Sequence, residues 1–82
     1  MERKTKLLVG GALGNQCGEV VDNEIVVKAS RPEEAVGKFL EAHGVYEYRV
    51  LGKENEGDLL VFRVAAPEEP PYWWGEVYVK VK

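Results

Sequence analysis

Ser30-Arg31-Pro32-Glu33-Glu34-Ala35-Val36-Gly37-Lys38-Phe39-Leu40-Glu41-Ala42-His43-Gly44 is the stretch on which the fold turns. Ser30 and Glu33 have the S-x-x-E spacing of a capping box, in which each side chain takes up a backbone N–H left without a partner at a helix N-terminus. Pro32 suits the first turn, where a missing N–H is harmless, and Glu33 and Glu34 complement the positive end of the helix dipole. At about 100° per residue, Ala35, Val36, Phe39, Leu40 and His43 share one side, with Glu34, Lys38 and Glu41 opposite. Gly44 supplies the left-handed residue that closes the helix. The pattern predicts one helix over about 31–43.

The flanking segments read as strands that need this helix as a cover. Thr5–Val9 is a short strand, followed by Gly10-Gly11-Ala12-Leu13-Gly14-Asn15-Gln16-Cys17-Gly18, where four glycines in nine residues suggest a wide loop or a distorted hairpin. Between Glu19 and Ala29 two β-rich pieces flank Asp22-Asn23, with the main strand expected at about 24–29. After the helix, Val45–Leu51 alternates Tyr46, Tyr48 and Val50 against Glu47 and Arg49. Residues 52–58 read as a polar turn. Leu59–Ala65 is apolar on both faces and is expected at the centre of the sheet. Ala66–Pro71, with three prolines, is a stiff connector. Glu76–Lys82 closes with Val77, Val79 and Val81 opposite Tyr78, Lys80 and Lys82.

These readings give a single α+β domain over residues 1–82. One helix packs on one face of a four- to five-stranded, mostly antiparallel sheet in the order β-β-α-β-β-β. That order resembles the β-grasp arrangement, a helix on one face of a mixed sheet between two hairpin-like arms. The modifiers and sulfur carriers of that class would also need a C-terminal Gly-Gly, whereas this sequence ends Val-Lys-Val-Lys.

Composition narrows the function classes. Eighty-two residues support one thin core, and such chains often bury further apolar surface by self-association. The single cysteine, Cys17, allows no internal disulfide and no cysteine-based zinc site, and a reducing, cytoplasmic setting is expected. No apolar run reaches the ~20 residues of a membrane span. Glu far outnumbers Asp, and Gln, Ser and Thr occur once each, a thermophile-like composition. The net charge of −3 is unevenly placed: both ends are basic and the middle carries the acidic excess. An acidic whole argues against an obligatory nucleic-acid binder unless the two ends lie side by side.

Few residues point to chemistry. The glycine-rich 10–18 lacks the G-K-[ST] of a phosphate loop and does not run directly into a helix. Cys17 and His43 are the only thiol and imidazole, but nothing in their surroundings supplies a base within reach of the nucleophile or an oxyanion hole. Cys17 reads as a small loop or buried thiol and His43 as the end of the helix stripe. Glu54, Glu56 and Asp58 do not amount to a calcium loop, because the remaining ligands are missing. No catalytic residue, cofactor or metal is assigned.

Pro70-Pro71-Tyr72-Trp73-Trp74-Gly75 is the anomaly. Three successive rings on an extended segment cannot all face one core, so at least one lies on a second surface. Tyr and Trp are enriched at interface hot spots, which makes Tyr72, Trp73, Trp74 and Tyr78 the candidate interaction surface. The expected function is a non-enzymatic module contacting a protein, itself included, with no membrane role. A homodimer is expected through a helix-free apolar face, or through the edge of the valine-rich last strand. The alternative is a nucleic-acid-binding domain, with Arg3, Lys4, Lys6, Lys80 and Lys82 on phosphates and Trp73 or Trp74 stacked on bases.

Overall fold

The computed structural model describes residues 3–68 and 70–80. Its elements are β1 (Thr5–Asn15), β2 (Val20–Ala29), α1 (Pro32–Ala42), β3 (Arg49–Glu56), β4 (Leu59–Ala66) and β5 (Trp73–Lys80). The α+β class, the single helix and the β-β-α-β-β-β order are as the sequence indicates. The strands form one sheet in the order β2-β1-β5-β4-β3, and every pairing is antiparallel. A β-grasp requires a mixed sheet, so that resemblance is not confirmed.

The helix forms where its stripe predicts, but its start differs. Arg31 is the N-cap, with extended φ and ψ and no side-chain cap bond. The Ser30–Glu33 capping box is not made. The Glu34 carboxylate instead accepts both the Ser30 N–H and the Ser30 hydroxyl, each at 2.9 Å. Lys4 at 3.2 Å and Lys38 at 3.7 Å hold the other oxygen of Glu34, while Glu33 pairs with Lys53 at 3.6 Å. These contacts hold the Glu34 carboxyl down at about 2, the Ser30 backbone bond being the largest cause, then the Ser30 hydroxyl and Lys4. At the other end Gly44, at φ +80°, closes the helix as expected. The Gly44 N–H donates to Glu41 and the Val45 N–H to Leu40, the two bonds of a Schellman motif.

Ala35, Val36, Phe39 and Leu40 are buried against the sheet. Facing them are Val9 and Leu13 from β1, Ala29 from β2, Phe62 and Val64 from β4, and Val77 and Val79 from β5. The last strand is therefore not the uncovered valine surface expected from the sequence. It is the centre of the sheet, paired with β1 on one side and β4 on the other, and Val77 and Val79 are fully buried under the helix. β4 is displaced from the expected central place to the one beside it. Val81 and Lys82 lie outside the described residues.

Two segments that read as loops are strand. Gly10, Gly11 and Gly14 lie within β1, which continues to Asn15 and leaves only residues 16–19 for the turn. Gly10 is required by space. A Cβ there would sit 2.6 Å from the Tyr78 hydroxyl, which crosses it from β5. Residues 52–56 likewise belong to β3, paired with Leu59–Arg63 around a Gly57–Asp58 turn. Val45–Tyr48, which reads as the start of that strand, is the return from the helix instead. Val45 is consumed by the helix cap and the core, and the Tyr48 hydroxyl lies over Gly37.

Candidate interaction surface

The aromatic connector divides across the sheet. Tyr72, exposed, is anchored through its N–H to the Gln16 side-chain oxygen at 2.6 Å. Trp73 turns to the helix side, half-buried against the core. Trp74 points to the helix-free face, 52 % exposed, between the small residues Gly14 and Ala65 of the neighbouring strands. Tyr78 shares that face and donates its hydroxyl to the Glu24 carboxylate. That bond is the main reason the phenol is pushed up to about 12; burial and the charges of Glu24 and Asp22 add to it. Of the four expected contact residues, Trp74 and Tyr78 therefore share one surface. Trp73 does not.

Alternation along each strand lays out the rest of the helix-free face. In one cross-strand row Val26, Leu8, Lys80, Leu59 and Glu56 lie side by side. In the next row Tyr78 lies between Gly10 and Val61. The face is a mixture of apolar and charged residues, so the continuous apolar surface expected there is interrupted, chiefly by Lys80, Glu76 and Arg63. Val26, 61 % exposed, and Val20, 74 % exposed, sit on its β2 border. Sequence reading misses both. The signal is the alternation Val20, Asp22, Glu24, Val26, Lys28, obscured when the strand is broken at Asp22-Asn23.

The two basic ends meet. β1 and β5 pair with Leu8 opposite Lys80, and Lys6 stands directly opposite Lys28 of β2. Lys6, Lys28 and Lys80 thus crowd one corner of the helix-free face, and among the described residues no carboxylate pairs with their ammonium groups. Lys28 is an addition to the lysines singled out from the sequence. Lys4 is engaged by Glu34, Arg3 is exposed ahead of β1, and Lys82 lies outside the described residues. Trp74 is six residues along β5 from Lys80, about 20 Å at strand rise, with Glu76 and the Tyr78–Glu24 pair between them.

Cys17 and His43 are not brought together by any bond. Asn15 organises the hairpin tip, its side-chain oxygen accepting the N–H groups of Cys17 and Glu19 at 3.0 Å each, and Cys17 is exposed there. His43 is 3.1 Å from the Asn23 side-chain oxygen and meets the Phe39 ring edge-on at 4.8 Å, tying the helix end to β2. His43 lines a shallow concavity of about 310 Å³ with Tyr46, Glu68, Pro71 and Trp73, and Cys17 does not. Glu68 in that hollow is already held by Arg49 at 2.7 Å. Among the described residues no three His, Cys, Asp or Glu side chains are grouped to hold a metal ion, and no helix is long and apolar enough to cross a membrane. Compared with protein-family models, curated proteins and solved structures, the chain matches none, so its fold and surfaces alone carry the functional argument.

Proposed function

We propose that this chain is a small non-enzymatic binding module that makes protein–protein contacts, association with its own copy included, in a reducing, cytoplasmic setting. One observation carries the reading. The helix-free face keeps Trp74, Val26 and Val20 half or more exposed, although the opposite face buries large apolar residues completely. Tryptophan is among the usual anchors of a protein contact, and Val20 shares the cross-strand row of Trp74 through Gly14. The absence of a bond between Cys17, at the exposed hairpin tip, and His43, bonded to Asn23, supports the non-enzymatic part. Light scattering over a concentration series tests the reading: the mass should rise above 9.2 kDa, and replacing the exposed apolar residue that makes the contact, by Trp74→Ala or Val26→Asp, should shift the rise to higher concentration. A chain that stays monomeric and binds no protein with Trp74 intact would end it.

A second reading, nucleic-acid binding, is favoured by the Lys6, Lys28 and Lys80 corner on the face that carries Trp74. Against it stand the net charge of −3 and the carboxylates between the corner and the ring. Retention on a polyanion column that falls steeply with salt, and is lost in Lys6→Glu, would favour it over the first. The protein-contact reading expects elution at low salt for parent and variant alike.

A further inference from the structure

The two borders of the sheet are built differently. β3 carries a register shift between Val50 and Gly52, with Leu51 bulged out, and presents Lys53, Glu54 and Glu56. A bulge is a usual means of keeping a border from pairing with another strand; charges are another, and both borders carry them. β2 has neither a proline nor a bulge: ten residues pair with β1 in one unbroken register from Val20 to Ala29. The Asn15 N–H donates to the Glu19 carbonyl in that register. Hydrogen-bonded pairs alternate in an antiparallel ladder, so the odd-numbered residues of β2 bond to β1 and the even-numbered ones turn their N–H and C=O outward. Asp22, Glu24, Val26 and Lys28 thus offer a row of main-chain donors and acceptors. Among the described residues, Lys38 reaches this row, its ammonium donating to the Lys28 carbonyl, and that oxygen keeps a second lone pair.

We propose that β2 pairs antiparallel with β2 of a second copy, centred on Val26, to form one continuous ten-stranded sheet about a two-fold axis. The inference deepens the protein-contact reading and rests on it: it names the partner and the strand. Self-complementarity selects the register. Centred on Val26, each Lys28 stands opposite Glu24 of the second copy, and Val26 opposite its own counterpart. On the helix side each Ile25 meets Val27, so from residue 24 to residue 28 apolar faces apolar and lysine faces carboxylate. Moving the centre to Glu24 sets two carboxylates opposite each other, and moving it to Ile25 sets Val26 against Glu24. Such pairing across an isologous interface closes at two copies, because the β3 border left outside is the bulged one.

Cross-linking and charge reversal test the pairing. In a Cys17→Ser background, Val26→Cys should form a disulfide-linked dimer under mild oxidation. Val20→Cys, also exposed but opposite no counterpart of its own, should not. Lys28→Glu should raise the dimer dissociation constant about tenfold, by replacing two attractive cross-strand pairs with two repulsive ones, and Lys28→Glu with Glu24→Lys should restore it. A concentration-dependent dimer that is indifferent to Lys28→Glu and cross-links no better through position 26 than through position 20 would overturn the β2 pairing while leaving the module reading in place. A chain that stays monomeric at every concentration would overturn the second copy as the partner, leaving a different protein as the contact to be sought.

Discussion

Gly75 shows how tightly single positions are specified. It has a φ of +153°, and a Cβ there would lie 2.1 Å from the Ala12 carbonyl oxygen across the β1–β5 ladder. Neither the backbone nor the neighbouring strand leaves room, so Gly75→Ala is expected to destabilise the fold by about 2–3 kcal/mol, measured by chemical denaturation. A loss near zero would mean β1 and β5 separate more easily than their pairing suggests. Tyr78 offers a spectroscopic check on the same face. Its folded pKa, about 12, is raised above the ordinary value of 10.0. Its contribution to stability is therefore complete below about pH 10 and is lost as pH rises towards 12. Glu24→Gln should bring the phenol titration, followed by ultraviolet absorbance, back towards the usual value; an unchanged titration would place the ring elsewhere. Neither role is legible in the sequence. A glycine that makes room for a neighbouring strand more than sixty residues away looks locally the same as a loop glycine.

At the level of elements, the helix is the most legible, because its signals are local: stripe, proline and terminal glycine all lie within one segment. Phe39 is fully buried, and Phe39→Ala is expected to cost about 3–5 kcal/mol, read from the denaturation midpoint. A midpoint near that of the parent would mean the stripe is not the core face. The cap departs from its sequence pattern for a physical reason. Glu33 and Glu34 both follow Ser30 closely, and the choice falls to Glu34 because Lys4, from outside the helix, and Lys38 converge on it. Glu34 is depressed from 4.5 to about 2, so between those values the unfolded chain binds more protons and stability rises with pH. The parent should therefore lose this contribution on acidification from about pH 5 to pH 2. Ser30→Ala should lower the melting temperature at neutral pH and flatten that acid slope. Equal slopes in the two proteins would mean that Ser30 does not hold the carboxylate. β3 is the least legible element: Lys53-Glu54-Asn55-Glu56 has no apolar periodicity, and only its backbone pairing with β4 makes it a strand.

For the molecule as a whole, alternation reveals the faces of individual strands but not their neighbours. Val77 and Val79 are legible as one apolar face; that β5 takes the centre is not, because adjacency is settled by which strands share the helix. For the candidate surface, Trp74 and Tyr78 are legible from their type and spacing, whereas Lys28 and Val26 become visible only once β2 is whole. The helix lies over β2, β1 and β5, and β3 is held from one side only, with no buried side chain along its length. Detaching β3 therefore uncovers little apolar surface, and local opening of lowest free energy should start there. In deuterium exchange followed by NMR, the β3 amides should exchange fastest of the five strands and those of β5 slowest. Equal protection in β3 and β5 would mean instead that the sheet opens only as one cooperative unit. Graded protection would give the molecule a melting order that runs across the sheet, from the border without a helix inward to the central strand.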